Sequence, residues 1–262
     1  MISDFFLALL LALIQGLTEF LPVSSSAHLL FPSFIFGTKD FGIVFDISVH
    51  AGTLVAVIYY FKNEISGLIH AWSPWVENRS KENFLLGQYL LIATLPIMLV
   101  GLIPDLTESR PSIDSIAWAN LIFAGLLFAV FKSSAQSKSL AELTLITALI
   151  IGCFQALAVF PGASRSGMAI TGALLIGLNL KETSKFAFLL SIPTILGALI
   201  LMLAKGAYSI SIDDLLIIFT GFIGSAFVAF FTIKTFLQFV ERIGMTPFVV
   251  YRVVLGLILL FL

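Results

Sequence analysis

Residues 15–28 read Gln15-Gly16-Leu17-Thr18-Glu19-Phe20-Leu21-Pro22-Val23-Ser24-Ser25-Ser26-Ala27-His28. It places a carboxylate, an amide, three consecutive hydroxyls and an imidazole in a sequence that otherwise consists of leucine, isoleucine, phenylalanine and alanine. Such polar groups are costly in hydrocarbon, and an ionisable cluster inside a membrane is a functional-site hypothesis by default. A weaker copy of the stretch returns about half a chain later, between residues 155 and 167.

The composition is that of a helical membrane protein. The 262 residues are 59% hydrophobic and 11% charged, and the mean hydropathy is +1.09. Soluble domains carry roughly 25% charged residues, so these side chains cannot cover a water-facing surface. Apolar runs of about 20 residues recur, which is the length of a helix across a bilayer, whereas the short alternating segments of a transmembrane barrel do not appear. The net charge of −1 says little about partners, but the sequence offers no basic face for nucleic acid.

Two smaller features fit this class. Cys153 is the single cysteine, so no intrachain disulfide can form, and we expect a buried, inert thiol. The N-terminus lacks the basic region of a signal peptide, so we expect the first apolar run to be retained.

Proline and polar breaks divide the first half into segments. Residues 5–21 form one apolar helix that ends at Pro22, because the residue before a proline is pushed out of the helical region. A shorter helix starts in the serine run, where Ser is a favoured N-cap, and continues to about Phe36. Neither helix is comfortably long enough to span, so we predict a re-entrant hairpin that enters and leaves on one side. The remaining segments are a full span, a polar segment and two further spans, at 41–61, 62–83, 85–103 and 115–131.

The second half repeats this order after a Lys/Ser/Gln linker, residues 132–139. It offers another helix–Pro–helix unit and three spans, at 141–179, 186–204, 214–233 and 246–262. Each half therefore contains one re-entrant helical hairpin plus three transmembrane helices. We predict an all-α polytopic membrane protein with a single integral membrane domain, 1–262, of which repeat 1 covers about 1–131 and repeat 2 about 140–262.

An internal match supports the repeat. Gln15 pairs with Gln155 and Phe20 with Phe160, and after one gap Pro22-Val23-Ser24-Ser25 pairs with Pro161-Gly162-Ala163-Ser164. Three spans per half is an odd number, so the second half must enter from the opposite face. This arrangement is an inverted-topology repeat, in which the binding site is expected near the midplane where broken helices meet.

The basic residues predict the orientation, because Lys and Arg near the ends of spans accumulate on the cytoplasmic side. With Met1 outside, most of them fall in the inside loops: Lys62, Arg79, Lys81, Lys132, Lys138, Lys181, Lys185, Lys234 and Arg242. The outside loops hold few basic residues beside many acidic ones: Lys39, Arg110 and Lys205 against Asp4, Asp40, Asp105, Glu108, Asp114, Asp213 and Asp214. We therefore expect both termini outside.

Glu19 gives the strongest chemical signal of the first stretch. A carboxylate inside an apolar helix must find a proton, a cation or a metal, and the alternative is a neutral structural Glu bonded to backbone. Gln15 lies four residues earlier, so both side chains share one helix face. Thr18 is expected to bond the carbonyl four residues earlier in its own helix rather than a ligand.

Serines precede a helix start in both stretches, as Ser24, Ser25 and Ser26 in the first and within Gly162-Ala163-Ser164-Arg165-Ser166-Gly167 in the second. A helix N-terminus presents unpaired N–H groups and positive dipole, hence an anion site. Arg165 adds a fork that matches phosphate oxygens. Two such termini converging from opposite faces would suit a phosphate or pyrophosphate. The alternatives are plain N-capping by the serines and a salt bridge from Arg165 to Glu19 without a ligand.

Three further ionisable residues lie in the apolar segments. His28, one turn from Ser24 and Ser25, is a candidate to protonate a leaving phosphate or deprotonate a nucleophile, and the alternative is a core histidine. His50 is a weaker candidate, for which a structural role is favoured. Arg252, one turn into the last span, is expected to snorkel to the interface.

Several motifs are absent from the sequence. There is no glycine-rich loop ending in Gly-Lys-Ser/Thr, so the chain is not an ATP-driven pump. Neither a Gly-x-Ser-x-Gly elbow nor a His-Glu-x-x-His zinc helix appears. Met168, Ala169, Ile170 and Thr171 follow the second serine stretch, so the mechanism of lipid phosphatases that place a His after a Ser-Arg pair is not supported.

Both stretches together resemble the undecaprenyl-diphosphate phosphatases of bacteria, also called bacitracin resistance proteins. The resemblance rests on Gln15-x-x-x-Glu19 with the residues from Phe20 to His28, and on Pro161-Gly162-Ala163-Ser164-Arg165-Ser166-Gly167. It covers nearly the whole chain. The family removes the terminal phosphate from undecaprenyl diphosphate and regenerates the monophosphate carrier of peptidoglycan precursors.

The resemblance also implies a site. The family uses a Glu/Gln-x-x-x-Glu pair, a serine after Pro-Val, a His and the Arg of the second motif, and these roles fall here on Gln15, Glu19, Ser25, His28 and Arg165. It is associated with divalent cations, such as Mg²⁺ or Ca²⁺, and with an active site open to the outer side of the bacterial inner membrane.

The chain departs from this family at two positions. It has Gln15 where many members carry Glu, which weakens any mechanism that needs two carboxylates on one metal. It has His50 where many members carry Gln.

The mechanism expected from these residues places the lipid tail in the bilayer and the diphosphate between the two hairpins. Arg165, the N–H groups after Pro161, and Ser164 or Ser166 hold the phosphates, with a divalent cation on Glu19. Ser25, or a water that it orients, attacks the terminal phosphorus, and Glu19 or His28 accepts the proton. The expected substrate-binding residues are Gln15, Ser24, Ser26, Gly162, Ser164 and Ser166.

A transporter or flippase of polyprenyl phosphate is the alternative function, since inverted repeats with broken helices occur widely in transporters. An acid–base set of Glu19, Ser25 and His28 is of little use to a pure anion carrier, so the phosphatase is favoured. The expected partners are undecaprenyl diphosphate and membrane lipids, and glycines such as Gly221 and Gly224 would allow packing of a homodimer.

Overall fold

Helices make up nearly all of the described chain, which comprises residues 2–75, 79–103, 112–205 and 212–261 of a computed structural model. The described part contains eleven α-helices: α1 Ile2–Thr18, α2 Ser25–Phe36, α3 Ile43–Tyr60, α4 Lys62–Trp72, α5 Lys81–Gly101, α6 Ile113–Ser133, α7 Leu145–Ala156, α8 Arg165–Leu175, α9 Leu180–Lys205, α10 Ile212–Ile243 and α11 Thr246–Leu260. Two short 3₁₀ turns, Leu140–Glu142 and Leu157–Val159, precede and follow α7. The predicted acidic loop between the spans 85–103 and 115–131 lies mainly outside the described residues.

Five of these helices, α3, α5, α6, α9 and α10, are long and apolar enough to cross a membrane. They match five predicted spans, and the described chain is that of a multi-pass helical membrane protein. The sixth predicted span, 246–262, is the 15-residue α11. At about 1.5 Å per residue it is shorter than the roughly 30 Å hydrocarbon core.

The polar segment 62–83 is not purely a loop, because it contains α4. Residues such as Lys62, Glu64 and Leu68 are good helix formers, so propensity makes a helix where the apolar pattern gives no signal. For the same reason α10 continues ten residues beyond its predicted end at 233 and finishes at Ile243. Glu64 of α4 forms an ion pair with Lys185 of α9 at 3.2 Å.

Two broken helices form where the sequence places Pro22 and Pro161. α1 ends at Thr18, earlier than the predicted position 21, and α2 begins at Ser25 and ends at Phe36 as predicted. In the second half α7 ends at Ala156 and α8 begins at Arg165. We call the connections 19–24 and 157–164 the first and second elbow. Their position at the ends of short helices brings polar side chains into the interior.

The two elbows share a backbone geometry. Ser24 and Ser164 are the N-cap residues of α2 and α8, and both have φ of 71°. Positive φ is strained in a residue that carries a Cβ, and such strain is found mainly at functional sites. Ser24 therefore corresponds to Ser164. The gapped sequence alignment, which paired Ser25 with Ser164, was wrong by one residue.

Helix α10 packs against α1 and α3 through small residues. A Cβ on Gly221 would lie 2.7 Å from the ring of Phe45, and one on Gly224 would lie 2.9 Å from Ala12. Since this face is occupied within the chain, the prediction that Gly221 and Gly224 offer a dimer surface is wrong. The predicted burial of Cys153 is also wrong, because that residue of α7 is exposed.

Candidate active site

Glu19 is the centre of a polar cluster at the first elbow. Its carboxylate is buried and accepts hydrogen bonds from three side chains. Gln15 Nε2 donates to Oε2 at 2.9 Å, Ser25 Oγ donates to Oε2 at 2.6 Å, and Arg165 Nη2 donates to Oε1 at 2.7 Å. A buried charge needs this kind of pairing to be tolerated. The contact at Oε1 brings the two sequence motifs together across the centre of the molecule.

The ion pair with Glu19 uses one of the two terminal nitrogens of Arg165, Nη2. Its side chain is 13% exposed, and its Nη1 is buried without a hydrogen-bond partner among the described residues. An unmade bond on a buried charged donor costs free energy, so Nη1 fits an anionic ligand in the site. The salt bridge to Glu19 exists, and it leaves Nη1 without a partner among the described residues.

Ser25 has the geometry of an activated hydroxyl. It lies just after the first elbow, half-buried, and its proton points at Glu19 at 2.6 Å. A nucleophile and its base are expected within about 2.6–3.2 Å of each other. The pair therefore has the arrangement required for nucleophilic attack with proton transfer to the carboxylate.

The neighbouring serines hold the two elbows. Ser24 and Ser26 lie 3.3 Å apart through their hydroxyls, and Ser164 and Ser166 lie 3.2 Å apart. Ser164 also caps α8 by accepting from the Gly167 N–H at 3.1 Å, as its N-cap alternative predicts. Ser166 Oγ donates to the carbonyl of Leu21 in the first elbow at 2.8 Å. The second motif thus touches the first through a hydroxyl as well as through Arg165.

His50 of α3 lines the site, although its sequence context favours a structural role. Its Nδ1 lies 2.7 Å from the carbonyl of Asp46, and its Nε2 lies 3.8 Å from Glu19 Oε2. The available signal was the position of Asp46, His50 and Thr53 on one face of an otherwise apolar span. That signal gives no indication of which partner the face meets.

A cavity of about 270 Å³ opens over these groups. It is lined by Glu19, Ser25, His50 and Arg165 with Ser24, Ser26 and Ser164, and by apolar residues of α5 and α9. A second, larger cavity of about 740 Å³ adjoins it and shares Ser26, His50, Ile97, Ala158, Thr194, Ala198 and Met202 with it. Most of the larger lining is aliphatic or aromatic, from α2, α3, α5 and α9. A polar pocket joined to an apolar one suits an amphiphile with an anionic headgroup.

Several expected site residues lie behind this cavity rather than in its lining. Gln15 is fully buried, and its Oε1 has no hydrogen-bond partner among the described residues. Gly162 lies in the second elbow at φ +94°, a conformation that favours glycine. Thr18 Oγ1 bonds the carbonyl of Ile14 at 2.6 Å, which confirms its expected helix role.

His28 is also behind the cavity. Its Nδ1 lies 2.7 Å from the carbonyl of Ser24, and its Nε2 lies 2.5 Å from the hydroxyl of Tyr251 on α11. Both ring nitrogens are therefore engaged with partners other than Ser25 or Glu19. The structure brings Glu19, Ser25 and Arg165 together at the cavity and holds His28 apart from them.

Arg252 is not a snorkelling residue, and that prediction is wrong. Its side chain is fully buried. Nη2 donates to the carbonyl of Gly162 at 2.8 Å, and Nε donates to Asn120 Oδ1 at 3.3 Å. Position in the last span suggested an end near the interface, whereas packing of α11 against α6 directs the guanidinium inward.

The oxygen donors for a cation are few. Among the described residues, no three or more His, Cys, Asp and Glu side chains are grouped so that they could hold a metal ion. The carboxylate of Glu19 lines the cavity, and the unbonded Oε1 of Gln15 is buried behind it. Mg²⁺ is commonly held by one or two carboxylates plus substrate phosphates, so this set fits a cation that arrives with a phosphorylated ligand.

The fold and the site define a class: a multi-pass helical membrane protein with a buried carboxylate–guanidinium pair at the meeting point of two broken helices. The chain belongs to the family described as bacitracin resistance protein BacA, whose family model matches residues 8–258.

Relatives in this family are similar along their whole length. The undecaprenyl-diphosphatase of Teredinibacter turnerae is 47% identical over 262 residues, covering 98% of each chain. The undecaprenyl-diphosphatase of Alcanivorax borkumensis is 44% identical over 261 residues, again covering 98% of each chain. That of Saccharophagus degradans is 42% identical over 257 residues.

Proposed function

We propose that this chain hydrolyses undecaprenyl diphosphate to undecaprenyl phosphate and inorganic phosphate, and so recycles the lipid carrier for cell-wall synthesis. The observation that carries the proposal is the contact of Glu19 with both Ser25 and Arg165 in a polar cavity that adjoins an apolar one. The names of the full-length relatives point to the same reaction.

The two cavities suit the two parts of this substrate. The polar cavity takes the diphosphate beside Arg165, which lines it at the N-terminus of α8, a position that favours negative charge. The apolar cavity takes the part of the polyprenyl tail next to the headgroup, and the rest of the tail lies in the bilayer. Its volume of about 740 Å³ is within the usual range of ligand sites.

The chemistry begins at Ser25. Its Oγ forms a bond to the terminal phosphorus while its proton passes to Glu19 Oε2, 2.6 Å away. The bond from that phosphorus to the bridging oxygen breaks, and undecaprenyl phosphate leaves with the electron pair. Water then attacks the phosphoserine, the bond from phosphorus to Ser25 Oγ breaks, and the proton on Glu19 returns to that oxygen as inorganic phosphate leaves. Direct attack by a water bound to Ser25 and Glu19 is the competing route.

Arg165 supplies most of the electrostatic stabilisation. Phosphoryl transfer spreads charge over the equatorial oxygens, and catalysis consists mainly of positioning and charge stabilisation. A guanidinium already fixed by Glu19 needs little reorganisation to bind these oxygens through Nη1. Ser164 and Ser166 hold the elbow from which it projects.

A divalent cation, Mg²⁺ or Ca²⁺, is proposed as the cofactor. Glu19 and Gln15 Oε1 would hold it together with the phosphates of the substrate, and it would neutralise charge on the diphosphate. Support comes from the unbonded buried oxygen of Gln15.

An inverted-topology repeat of one hairpin plus three spans per half is proposed for the architecture. Its support is a constant spacing: Gln15 and Gln155, Phe20 and Phe160, and Ser24 and Ser164 are each 140 residues apart. The matching φ angles of the last pair add to this support. The repeat would cover about 1–131 and 140–262 of one membrane domain.

The proposed location is the bacterial inner membrane, with both termini and the opening of the site on the outer side. The ion pair between Glu64 and Lys185 joins two segments that the basic residues assign to the inside, which supports this orientation. A homodimer remains a proposal and would need a face other than that of Gly221 and Gly224.

Phosphate release from a prenyl diphosphate by detergent-purified protein tests this function. The hydrolase releases phosphate in micelles, whereas a flippase of polyprenyl phosphate would not, because transport alone breaks no bond. Arg165→Ala is expected to abolish release. Turnover of that variant near the parent rate would remove Arg165 from the mechanism.

A further inference from the structure

Helix α11 passes behind both elbows and is linked to each of them by one of two consecutive residues. Tyr251 reaches the first elbow through His28, and Arg252 reaches the second elbow directly. Neither residue lines the cavities. The two contacts come from one rigid helix, so they fix the elbows relative to each other.

Arg252 binds the backbone of the second elbow at its tightest turn. Its Nη2 donates at 2.8 Å to the carbonyl of Gly162, the residue at φ +94°. A Cβ on Gly162 would lie 2.7 Å from the carbonyl oxygen of Ile116 in α6, so the turn is enclosed on that side. The elbow is held between α6 and the guanidinium, one turn before Arg165.

The charge of Arg252 is not matched by a carboxylate. Among the described residues its polar partners are the Gly162 carbonyl and the amide oxygen of Asn120, and its Nη1 has no partner. Asn120 is itself oriented by a bond from its Nδ2 to the Ile116 carbonyl at 3.2 Å. Burying a guanidinium among neutral partners costs free energy, so its presence in this interior points to a functional role.

Tyr251 acts on the first elbow through an imidazole. His28 Nδ1 faces the Ser24 carbonyl at 2.7 Å, which can only accept, so this nitrogen carries the proton. Nε2 then accepts from the Tyr251 hydroxyl at 2.5 Å. The chain of bonds runs from α11 to the carbonyl of Ser24, the strained residue just before Ser25.

We propose that Tyr251 and Arg252 are a pair of positioning residues, each of which fixes one elbow so that Ser25 and Arg165 meet at Glu19. His28 belongs to this system as the link between Tyr251 and Ser24. The kinetic part of the proposal rests on the proposed phosphatase function, and the structural part does not.

Hydrogen–deuterium exchange of the purified full-length protein tests the structural part. Arg252→Met is expected to speed exchange of the backbone amide protons of residues 162–168 about tenfold and to leave those of residues 23–28 near the parent rate. Tyr251→Phe is expected to give the opposite pattern. Controls remove the same groups from exposed positions, as Arg242→Met and Tyr59→Phe, and are expected to change neither elbow.

Kinetics test the second part. In both variants kcat should fall at least about tenfold while KM stays within about threefold, because the elbows position the reacting groups without touching the tail. Arg252→Lys should recover part of the loss, since it retains one donor for the Gly162 carbonyl. If Arg252→Met fails to fold, Asn120→Ala takes its place. This variant retains the guanidinium but removes one of its hydrogen bonds, so amide exchange should again speed up at the second elbow and not at the first.

Three outcomes would overturn the proposal. The first is an amide exchange rate at both elbows that equals that of the parent in Tyr251→Phe and also in Arg252→Met or Asn120→Ala. The second is equal acceleration along all helices, which would mean a merely structural role. The third is parent-like kcat in variants with a loosened elbow. Absence of turnover in the parent protein would instead count against the phosphatase function and leave the exchange result decisive for positioning.

Discussion

The guanidinium of Arg165 donates to the carboxylate of Glu19 at 2.7 Å across 146 residues of sequence. Glu19 lies three residues before Pro22, and Arg165 lies four residues after Pro161. Neither charge would be tolerated alone in an apolar interior. Because each charge stabilises the other, the pair holds the two elbows together. It also leaves Arg165 Nη1 without a partner among the described residues.

Glu19→Gln is expected to lower phosphatase turnover at least about a thousandfold, because the amide cannot accept the proton of Ser25. It would also leave Arg165 buried without an anionic partner, so thermal unfolding should be measured beside phosphate release. Glu142→Gln is the matched control. That carboxyl is exposed, and the bond from the Ser139 N–H at 2.8 Å lowers its pKa. Turnover of Glu19→Gln within tenfold of the parent would contradict the role of base.

Ser25→Ala should abolish turnover, whereas Ser26→Ala should retain most of it. The two serines are neighbours in the same run, but Ser25 alone donates to Glu19. A phosphoserine trapped at position 25 would establish covalent catalysis. Transfer of oxygen-18 from water straight into phosphate in a single turnover, without such an intermediate, would assign the attack to water. Equal activities of the two variants would contradict either route through Ser25.

Arg165→Lys is expected to lose about a hundredfold in kcat, although the charge is retained. A lysine is a point charge, and it cannot bind Glu19 with one nitrogen and a phosphate with another. Arg242→Lys, at an exposed position on α10, provides the control. If Arg165→Lys proved as active as the parent, the free Nη1 would have no part in the reaction.

The sequence predicted the helical class, the five long spans and the two broken helices, because apolar length and proline leave few alternatives. It did not predict α4 or the full length of α10, since both depend on helix-forming polar residues such as Lys62 and Glu241. It also misplaced one residue of the internal match. That error became visible only when Ser24 and Ser164 proved to share a backbone conformation.

The site was predictable where ionisable groups stand in apolar sequence, as at Glu19 and Arg165. The roles of three other residues could not be predicted in this way. The sequence favours a structural role for His50 and an interfacial one for Arg252, and it gives no signal for Tyr251. The partners of all three residues lie in distant helices. Which face of a span meets which neighbour is set by packing of the whole bundle. His28 shows the converse, since its sequence position suggested chemistry and its contacts are with the scaffold.

Gly152→Ala is expected to destabilise the protein by about 1–3 kcal/mol. An added Cβ would lie 2.5 Å from the carbonyl oxygen of Ala93, so α7 and α5 must separate. Gly125→Ala is the opposite case, because nothing lies within 4 Å of its added Cβ. There the better helix propensity of alanine should stabilise by about 0.5–1 kcal/mol. Thermal unfolding in one detergent measures both, and equal shifts would contradict the close approach of α5 and α7.

The junction of the two cavities makes a prediction about the lipid tail. Ala198 of α9 lines both the polar and the apolar cavity, so Ala198→Phe would place a ring between headgroup and tail. KM for a long prenyl diphosphate should rise about tenfold or more, since the tail loses its buried contacts.

For a short-chain diphosphate, which leaves the apolar cavity empty, the KM of Ala198→Phe should be close to that of the parent. Leu203→Phe adds a ring on the same helix at an exposed position outside both linings, and it should change neither KM. If Ala198→Phe impaired long and short substrates equally, the ring would be acting on the catalytic groups themselves. The tail would then reach the site by another face of the protein, and the larger cavity would have no part in substrate binding.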